Sequence, residues 1–341
     1  MPPSTTYSPL TDRLGRVHTD LRVSLTDRCN LRCTYCMPEE GLAWLPRPEL
    51  LTDDELVRLV SLATERLGIR TVRLTGGEPL LRRGLPGLIA RLTALPCPPE
   101  LSITTNGIGL ARSAAALREA GLRRVNVSLD TLRPERFAAI TRRDRLRDVL
   151  LGLAAAQAAG LAPVKINAVP VRGVNDDEIA ELAAFAVEHG YRMRFIESMP
   201  LDAQGAWDRA RMVTADEILE RLGERFELKP LPREGNAPAE EWQVVGTDSA
   251  VRRSGVVGVI ASVTRPFCGG CDRVRLTADG QLRNCLFAAT ESDLRALLRD
   301  GADDDTVEAA WRDSVAGKGP GHAINSADFR QPDRPMSAIG G

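Results

Sequence analysis

Lysine is nearly missing. Of 45 basic residues in this 341-residue chain, all but Lys165, Lys229 and Lys318 are arginine, and there are only 3 histidines. Basic and acidic residues cancel to a formal net charge of −1, so no global field recruits nucleic acid, and any anion site must come from local clustering. No apolar run approaches the ~18 residues of a membrane span. The opening Met1-Pro2-Pro3-Ser4-Thr5-Thr6-Tyr7-Ser8-Pro9 has neither the basic stretch nor the apolar core of a secretory leader. A soluble, cytoplasmic protein is expected, with no nucleic-acid or membrane partner. Seven cysteines, an odd number in clustered spacing, suit metal ligands in a reducing compartment better than a disulfide framework.

What is present is organised around Cys29-Asn30-Leu31-Arg32-Cys33-Thr34-Tyr35-Cys36, a CxxxCxxC loop directly behind the strand-like run Leu21-Arg22-Val23-Ser24-Leu25-Thr26. Soft thiolates at this spacing favour an iron–sulfur cluster or zinc. A cubane cluster normally takes four cysteines, so three leave one iron open to chemistry. A zinc knuckle completed by His18 or Asp27 is the alternative. The spacing resembles the signature of the radical S-adenosylmethionine (SAM) enzymes, in which SAM chelates the open iron.

The remaining chain alternates strands and helices. Thr52-Asp53-Asp54-Glu55 reads as a capping box opening a helix to about Leu67. Strand-like runs follow at Thr71–Thr75, Leu101–Thr104, Arg124–Leu129, Val164–Val169 and Arg192–Ile196, with helices between them closed by Gly121 and Gly160. Six such units predict an incomplete parallel (β/α)6 TIM-like barrel in an α/β fold, of the radical SAM type by resemblance. In such sheets ligands bind at the carboxyl ends of the strands, where the cysteine loop, Gly76-Gly77-Glu78-Pro79, Thr105-Asn106-Gly107, Asp130 and Glu197-Ser198-Met199-Pro200 all fall. Gly76-Gly77-Glu78 reads either as a plain turn or as backbone approaching a ligand, beside a carboxylate that accepts from an ammonium group.

Past Met199 the rhythm changes to short strands around an exposed loop, Pro232 to Glu240, then two helices and a Gly/Pro-rich tail. Antiparallel strands laid on the open side of the barrel are expected. The division reads as a disordered N-terminus (1–13), a partial barrel (14–212), a smaller C-terminal α+β region (213–334) and a Gly-Gly tail (335–341). The C-terminal region carries Cys268-Gly269-Gly270-Cys271 and, after 13 intervening residues, Cys285. That is a second set of three, either an open-iron cluster or a zinc site completed by His322. Burying Lys165, between Val164 and Ile166 on an inner strand, is costly unless it is paired, so it reads as a phosphate or substrate contact, with a core ion pair as the alternative. Cys97 reads as a spectator.

From about Leu14 to Gly341 the chain resembles the GTP 3′,8-cyclase family of molybdenum cofactor biosynthesis, a family of lyases. The resemblance rests on the two cysteine motifs, on Val72-Arg73-Leu74-Thr75-Gly76-Gly77-Glu78-Pro79, on Asn126-Val127-Ser128-Leu129-Asp130, on Arg194-Phe195-Ile196-Glu197, on Cys271-Asp272-Arg273-Val274-Arg275 and on Gly340-Gly341. It implies two [4Fe-4S] clusters, one on Cys29, Cys33 and Cys36 and one on Cys268, Cys271 and Cys285. It also implies SAM contacts at Tyr35, Gly77, Glu78, Ser128 and Met199, GTP contacts at Arg22, Arg73, Thr104, Lys165, Arg273 and Arg275, and a tail, Gly340 and Gly341, inside the active site. Cyclic pyranopterin monophosphate synthase as the next enzyme, an electron donor, and a monomer or homodimer complete the expectation. The rivals are a radical SAM enzyme acting on a peptide or another small molecule, and a non-catalytic zinc protein.

Overall fold

In the computed structural model, residues 8–233, 235–246 and 253–340 are described. The chain runs β1 (Asp20–Ser24), α1 (Asp53–Glu65), β2 (Thr71–Thr75), α2 (Leu85–Thr93), β3 (Glu100–Thr105), α3 (Leu110–Glu119), β4 (Arg124–Ser128), α4 (Pro134–Thr141), α5 (Leu146–Ala158), β5 (Val164–Ala168), α6 (Ile179–Glu188) and β6 (Arg192–Ile196). It continues through α7 (Ala215–Gly223), β7 (Phe226–Pro230), β8 (Glu240–Gly246), β9 (Ser254–Ile260), β10 (Arg273–Leu276), β11 (Gln281–Arg283), β12 (Ser292–Asp293), α8 (Leu294–Arg299), α9 (Asp304–Ala316) and α10 (Met336–Ile339). The capping box at Thr52 forms as read, and Thr214 makes a second one before α7. Among the described residues no helix is long and apolar enough to cross a membrane.

All strands join one 12-stranded sheet in the order β12-β11-β10-β1-β2-β3-β4-β5-β6-β9-β8-β7. The central strands β1 to β6 pair in parallel, the partial barrel expected from the βα rhythm. The C-terminal strands do not form a separate antiparallel layer. They extend the barrel wall at both edges, β9 parallel to β6 and β10 parallel to β1, before turning antiparallel at β8 and β11.

The strand period of two decides what faces where. Leu21, Val23, Val72, Leu74, Ile103, Val125, Val127, Ile166 and Phe195 are buried under the surrounding helices. The alternate positions, Arg22, Arg73, Ser102, Thr104, Asn126, Lys165, Asn167 and Arg194, line the other face. An apolar outer core thus pins a polar barrel interior, the reverse of a barrel packed with branched aliphatics.

Residues 8–13 correct the expected disordered start. Leu10 is fully buried and its N–H donates to the Leu67 carbonyl at 3.0 Å, while the Asp12 carboxylate accepts from the N–H groups of Leu14 and Arg16.

Candidate active site

The cysteine loop leaves the carboxyl end of β1 and is held from three sides. Arg32 and Thr34 donate to carbonyls at the end of α4, Thr141 and Ile140, both at 3.0 Å. Asn106 at the end of β3 donates to the Asn30 side chain at 2.7 Å and lies 3.7 Å from the Cys29 sulfur. From β2, the Gly77 and Glu78 N–H groups donate to the Thr26 and Arg28 carbonyls, both at 2.7 Å.

That last contact explains the glycines. A Cβ on Gly76 would stand 2.3 Å from the Thr26 carbonyl oxygen, and one on Gly77 2.3 Å from that of Arg28. They let two backbones touch, which fixes the cysteine loop to β2.

Glu78, expected as a SAM contact, is engaged by protein donors in this structure. It has no exposed surface, and its oxygens accept from the Leu80 N–H (2.9 Å), the Thr105 hydroxyl (2.7 Å) and the Asn106 N–H (2.7 Å). Burial pushes its pKa up to about 7 against the pull of these donors. Its role in the structure is to tie the ends of β2 and β3 together.

Cys29, Cys33 and Cys36 are partly buried, and burial raises each thiol, Cys36 to about 12. Cys33 is also raised by Cys36, Asp130 and Cys29, so the three sulfurs share one neighbourhood. Among the described residues no three Cys, His, Asp or Glu side chains are already drawn into a metal-coordinating group. Ligands of a multi-iron cluster bind different irons and need not meet at one point, as zinc ligands must. The donor set, soft sulfur with no fourth cysteine, fits a cluster with one open iron.

Beside this loop lies a cleft lined by Tyr35, Asp130, Val169, Met199, Asp202 and Trp207. Tyr35 donates to Asp130 at 2.6 Å, and Asp130 also accepts from the Val169 N–H at 2.8 Å. Trp207 is set by its indole N–H on the Ser198 carbonyl, 3.0 Å, and by Asp202, which accepts from its backbone N–H. Tyr35 and Met199 both line this cleft. Ser128 stands at the end of β4 opposite Asn167.

Inside the barrel the register stacks cations side by side. Arg22 pairs with Arg73 on β2 and with Arg275 on β10, and Asp20 pairs with Arg273. Burial first, then mutual repulsion, lowers Arg22 to about 9, Arg73 and Arg194 to about 10, and Lys165 to about 8. The carboxylates that oppose these four are Asp20 and Glu241. The Nε atoms of Arg22 and Arg73 are buried without a hydrogen-bond partner. Buried guanidinium N–H groups left without an acceptor are costly, and an anion entering the barrel would relieve them. Arg194 was not singled out in the sequence. It donates to Asn167 at 2.9 Å and Asn126 at 3.0 Å, and Asn126 donates to Thr104 at 3.2 Å, so polar residues recurring every second position on inner strands were the available signal.

The second cysteine set borders the same interior. Cys268 opens a short 3₁₀ turn before β10, and the β10–β11 hairpin returns Cys285 beside it. Burial raises Cys268, with Cys285 and Cys271 adding to the shift. Burial opposes ionisation of Cys271 too, but the Lys318 ammonium and the Arg273 guanidinium outweigh it and the pKa falls. The Cys271 sulfur acts on both Arg22 and Arg275. Arg273 also stacks on Phe267, 4.7 Å from the ring centre, and donates to the Asn236 carbonyl at 3.1 Å, so the loop read as merely exposed reaches the site. His322 is turned to the Ser262 carbonyl, 3.0 Å.

The tail joins the two sets. Ser337 on α10 stands by the Cys36 thiol, the Ile339 carbonyl accepts from Ser24 at 2.9 Å, and the buried Gly340 carbonyl accepts from Arg275. Gly341 lies outside the described residues. Cys97 is exposed, and His189 caps the end of α6 through the Phe185 carbonyl.

Comparison with known proteins follows the same division. Residues 23–186 match the radical SAM superfamily, and residues 191–324 match the family described as Molybdenum Cofactor Synthesis C. The chain is similar to GTP 3′,8-cyclase of Streptomyces coelicolor, 62% identical over 97% of this chain and 96% of the relative. GTP 3′,8-cyclase of Mycolicibacterium smegmatis is 58% identical over 99% of this chain and 94% of its own. Among solved structures, Streptococcus suis SuiB bound to S-adenosylmethionine superposes with a TM-score of 0.56 at 17% identity, covering 88% of this chain and 67% of that one, a likeness of fold.

Proposed function

The chain belongs to the GTP 3′,8-cyclase family of the radical SAM superfamily, and from that premise we propose that it converts GTP to 3′,8-cyclo-7,8-dihydroguanosine 5′-triphosphate, the first step of molybdenum cofactor biosynthesis. In this reading residues 14–212 form the SAM barrel and 213–334 the region that holds a second cluster. Cys29, Cys33 and Cys36 would hold the first [4Fe-4S] cluster, and Cys268, Cys271 and Cys285 the second. When bound, the first cluster would supply the electron for reductive cleavage of SAM.

The chain's own residues position and exclude. Tyr35 and Met199 line the cleft in which SAM's adenosine would lie. Arg22, Arg73, Lys165, Arg273 and Arg275 would hold the triphosphate and ribose, with Thr104 and the Arg194–Asn126 network keeping them in register. The tail, placed between the cysteine sets, would close the cavity over the reacting C3′ and C8 carbons and exclude water. The observation that carries this reading is the pair of buried guanidinium nitrogens without a hydrogen-bond partner on Arg22 and Arg73, side by side on β1 and β2, with Arg275 in the same register on β10. A peptide substrate gives no reason for that concentration of charge. The product would pass to cyclic pyranopterin monophosphate synthase, and an electron donor would reduce the first cluster.

The test is anaerobic reconstitution followed by incubation with SAM, dithionite and GTP. GTP-dependent release of 5′-deoxyadenosine, with about eight iron per chain, is expected. Zinc without visible absorbance, or no response to GTP, overturns the reading.

Arg73→Met should separate binding from stability. Losing one charge-assisted contact costs about 1.5–3 kcal/mol, or about ten- to a hundredfold in GTP affinity. Arg73 is opposed by Asp20 but repelled by Arg194, Arg273 and Arg124, and its Nε has no hydrogen-bond partner, so its removal should leave the ligand-free protein close to wild type in stability. Calorimetric titration and thermal melts measure the two sides, and unchanged affinity would take Arg73 out of the site.

A further inference from the structure

Lys318 is one of the chain's three lysines, and it is buried, with only 5% of its surface exposed. Neither the comparisons nor the proposed reaction gives it a role. Its ammonium nitrogen lies 2.7 Å from the Arg273 carbonyl, 3.3 Å from the Cys271 carbonyl, 3.4 Å from the Cys271 sulfur and 3.4 Å from Nδ1 of His18. Every one of these neighbours is an acceptor, if His18 presents a lone pair at Nδ1. It does so because its other nitrogen, Nε2, stands 3.1 Å from the Asp12 carboxylate and must carry the proton there.

Asp12 accepts in turn from Arg16 Nε at 2.6 Å, and the Arg16 guanidinium reaches the Cys268 carbonyl at 2.8 Å and the Gly319 carbonyl at 2.7 Å. The N-terminal segment and the 318–319 segment are thus clamped together behind the second cysteine set. A buried line runs from the Asp12 carboxylate through His18 and Lys318 to the Cys271 sulfur.

We propose that Lys318, aimed by the Asp12–His18 pair, is a positioning residue of the second site that donates a hydrogen bond to the Cys271 sulfur and makes a cluster bound there easier to reduce. The inference rests on the two-cluster reading above. Its physical basis is that a reduced cluster carries one more negative charge, concentrated on its sulfurs. A fixed positive donor in a poorly solvated site therefore stabilises the reduced form more than the oxidised form. Lys318 also holds the carbonyls of Cys271 and Arg273, fixing the backbone on either side of Asp272.

The experiment is an anaerobic redox titration of the reconstituted full chain, followed by electron paramagnetic resonance. The second-site signal is identified by its loss in Cys285→Ala. In Lys318→Met that cluster should become about tenfold harder to reduce, ~59 mV lower for one electron, while the first cluster keeps its potential. Lys318→Gln, which keeps an N–H donor without the charge, should shift in the same direction by less. An unmoved second-site potential in either loaded variant overturns the proposal. So does failure of both variants to load the second site while the fold and the first cluster remain intact, because that marks a packing role only. Wild-type protein holding about four iron would instead overturn the two-cluster reading itself.

Discussion

Cys33→Ala should release no 5′-deoxyadenosine above background and hold about half the wild-type iron, yet fold normally and keep its second cluster. Cys33 sits in the middle of CxxxCxxC, and its loss leaves two sulfurs where a cubane with one open iron needs three. The backbone reasons for the loop's shape survive the change. The Cys33 carbonyl still accepts from the N–H groups of Cys36 and Met37, both at 2.9 Å, and Gly77 and Glu78 still bind the Thr26 and Arg28 carbonyls. The thiol itself packs at the edge of the core, so alanine removes one sulfur's worth of contact and little else. Iron analysis, 5′-deoxyadenosine yield and circular dichroism measure the three parts. Cys97→Ala, at an exposed position, is the control and should match wild type throughout. A Cys33→Ala protein that still cleaves SAM would remove the cysteine loop from the chemistry.

The βα rhythm was legible because each inner strand alternates apolar and polar residues and ends at glycine or a polar cluster. The capping boxes at Thr52 and Thr214 are purely local signals, and both formed. Helix α2 was not legible, because its start, Leu85-Pro86-Gly87, reads as a turn even though proline suits the first turn of a helix. Nor was the placement of β9 and β10. Each joins a strand far away in sequence, Arg275 opposite Arg22 for instance, and no local pattern encodes such a partner. Glu78 shows the same limit at the site. Its motif singled out the loop, but only the fold reveals that the carboxylate faces Thr105 and Asn106. Leu10 and His18 were unreadable for the related reason that their partners, Leu67 and Lys318, lie far away in sequence and meet them only in the folded chain.

Gly340→Ala should keep both clusters and the melting temperature but lower GTP turnover about a hundredfold, the cost of a misplacement near 1 Å in an active site. Gly340 has φ +88, a backbone conformation that alanine adopts only under strain. A Cβ there would also stand 2.2 Å from the Ser24 hydroxyl and 2.8 Å from Cγ2 of Thr75. Ser24 cannot turn away without releasing the Ile339 carbonyl, and Thr75 belongs to the β2 wall. The tail must therefore lift, and the Gly340 carbonyl then leaves Arg275. The rest of the tail stays latched, through Arg334 on Asp279 (2.7 Å) and Glu291 (2.8 Å) and the Met336 N–H on the Leu201 carbonyl (2.9 Å), so the damage stays local. SAM cleavage with dithionite should persist, because Cys29, Cys33 and Cys36 are untouched, while its coupling to GTP is lost. Wild-type kcat/KM for GTP in Gly340→Ala would show that the tail is a passive end, and the cation wall of Arg22, Arg73 and Arg275 would then have to position the substrate unaided.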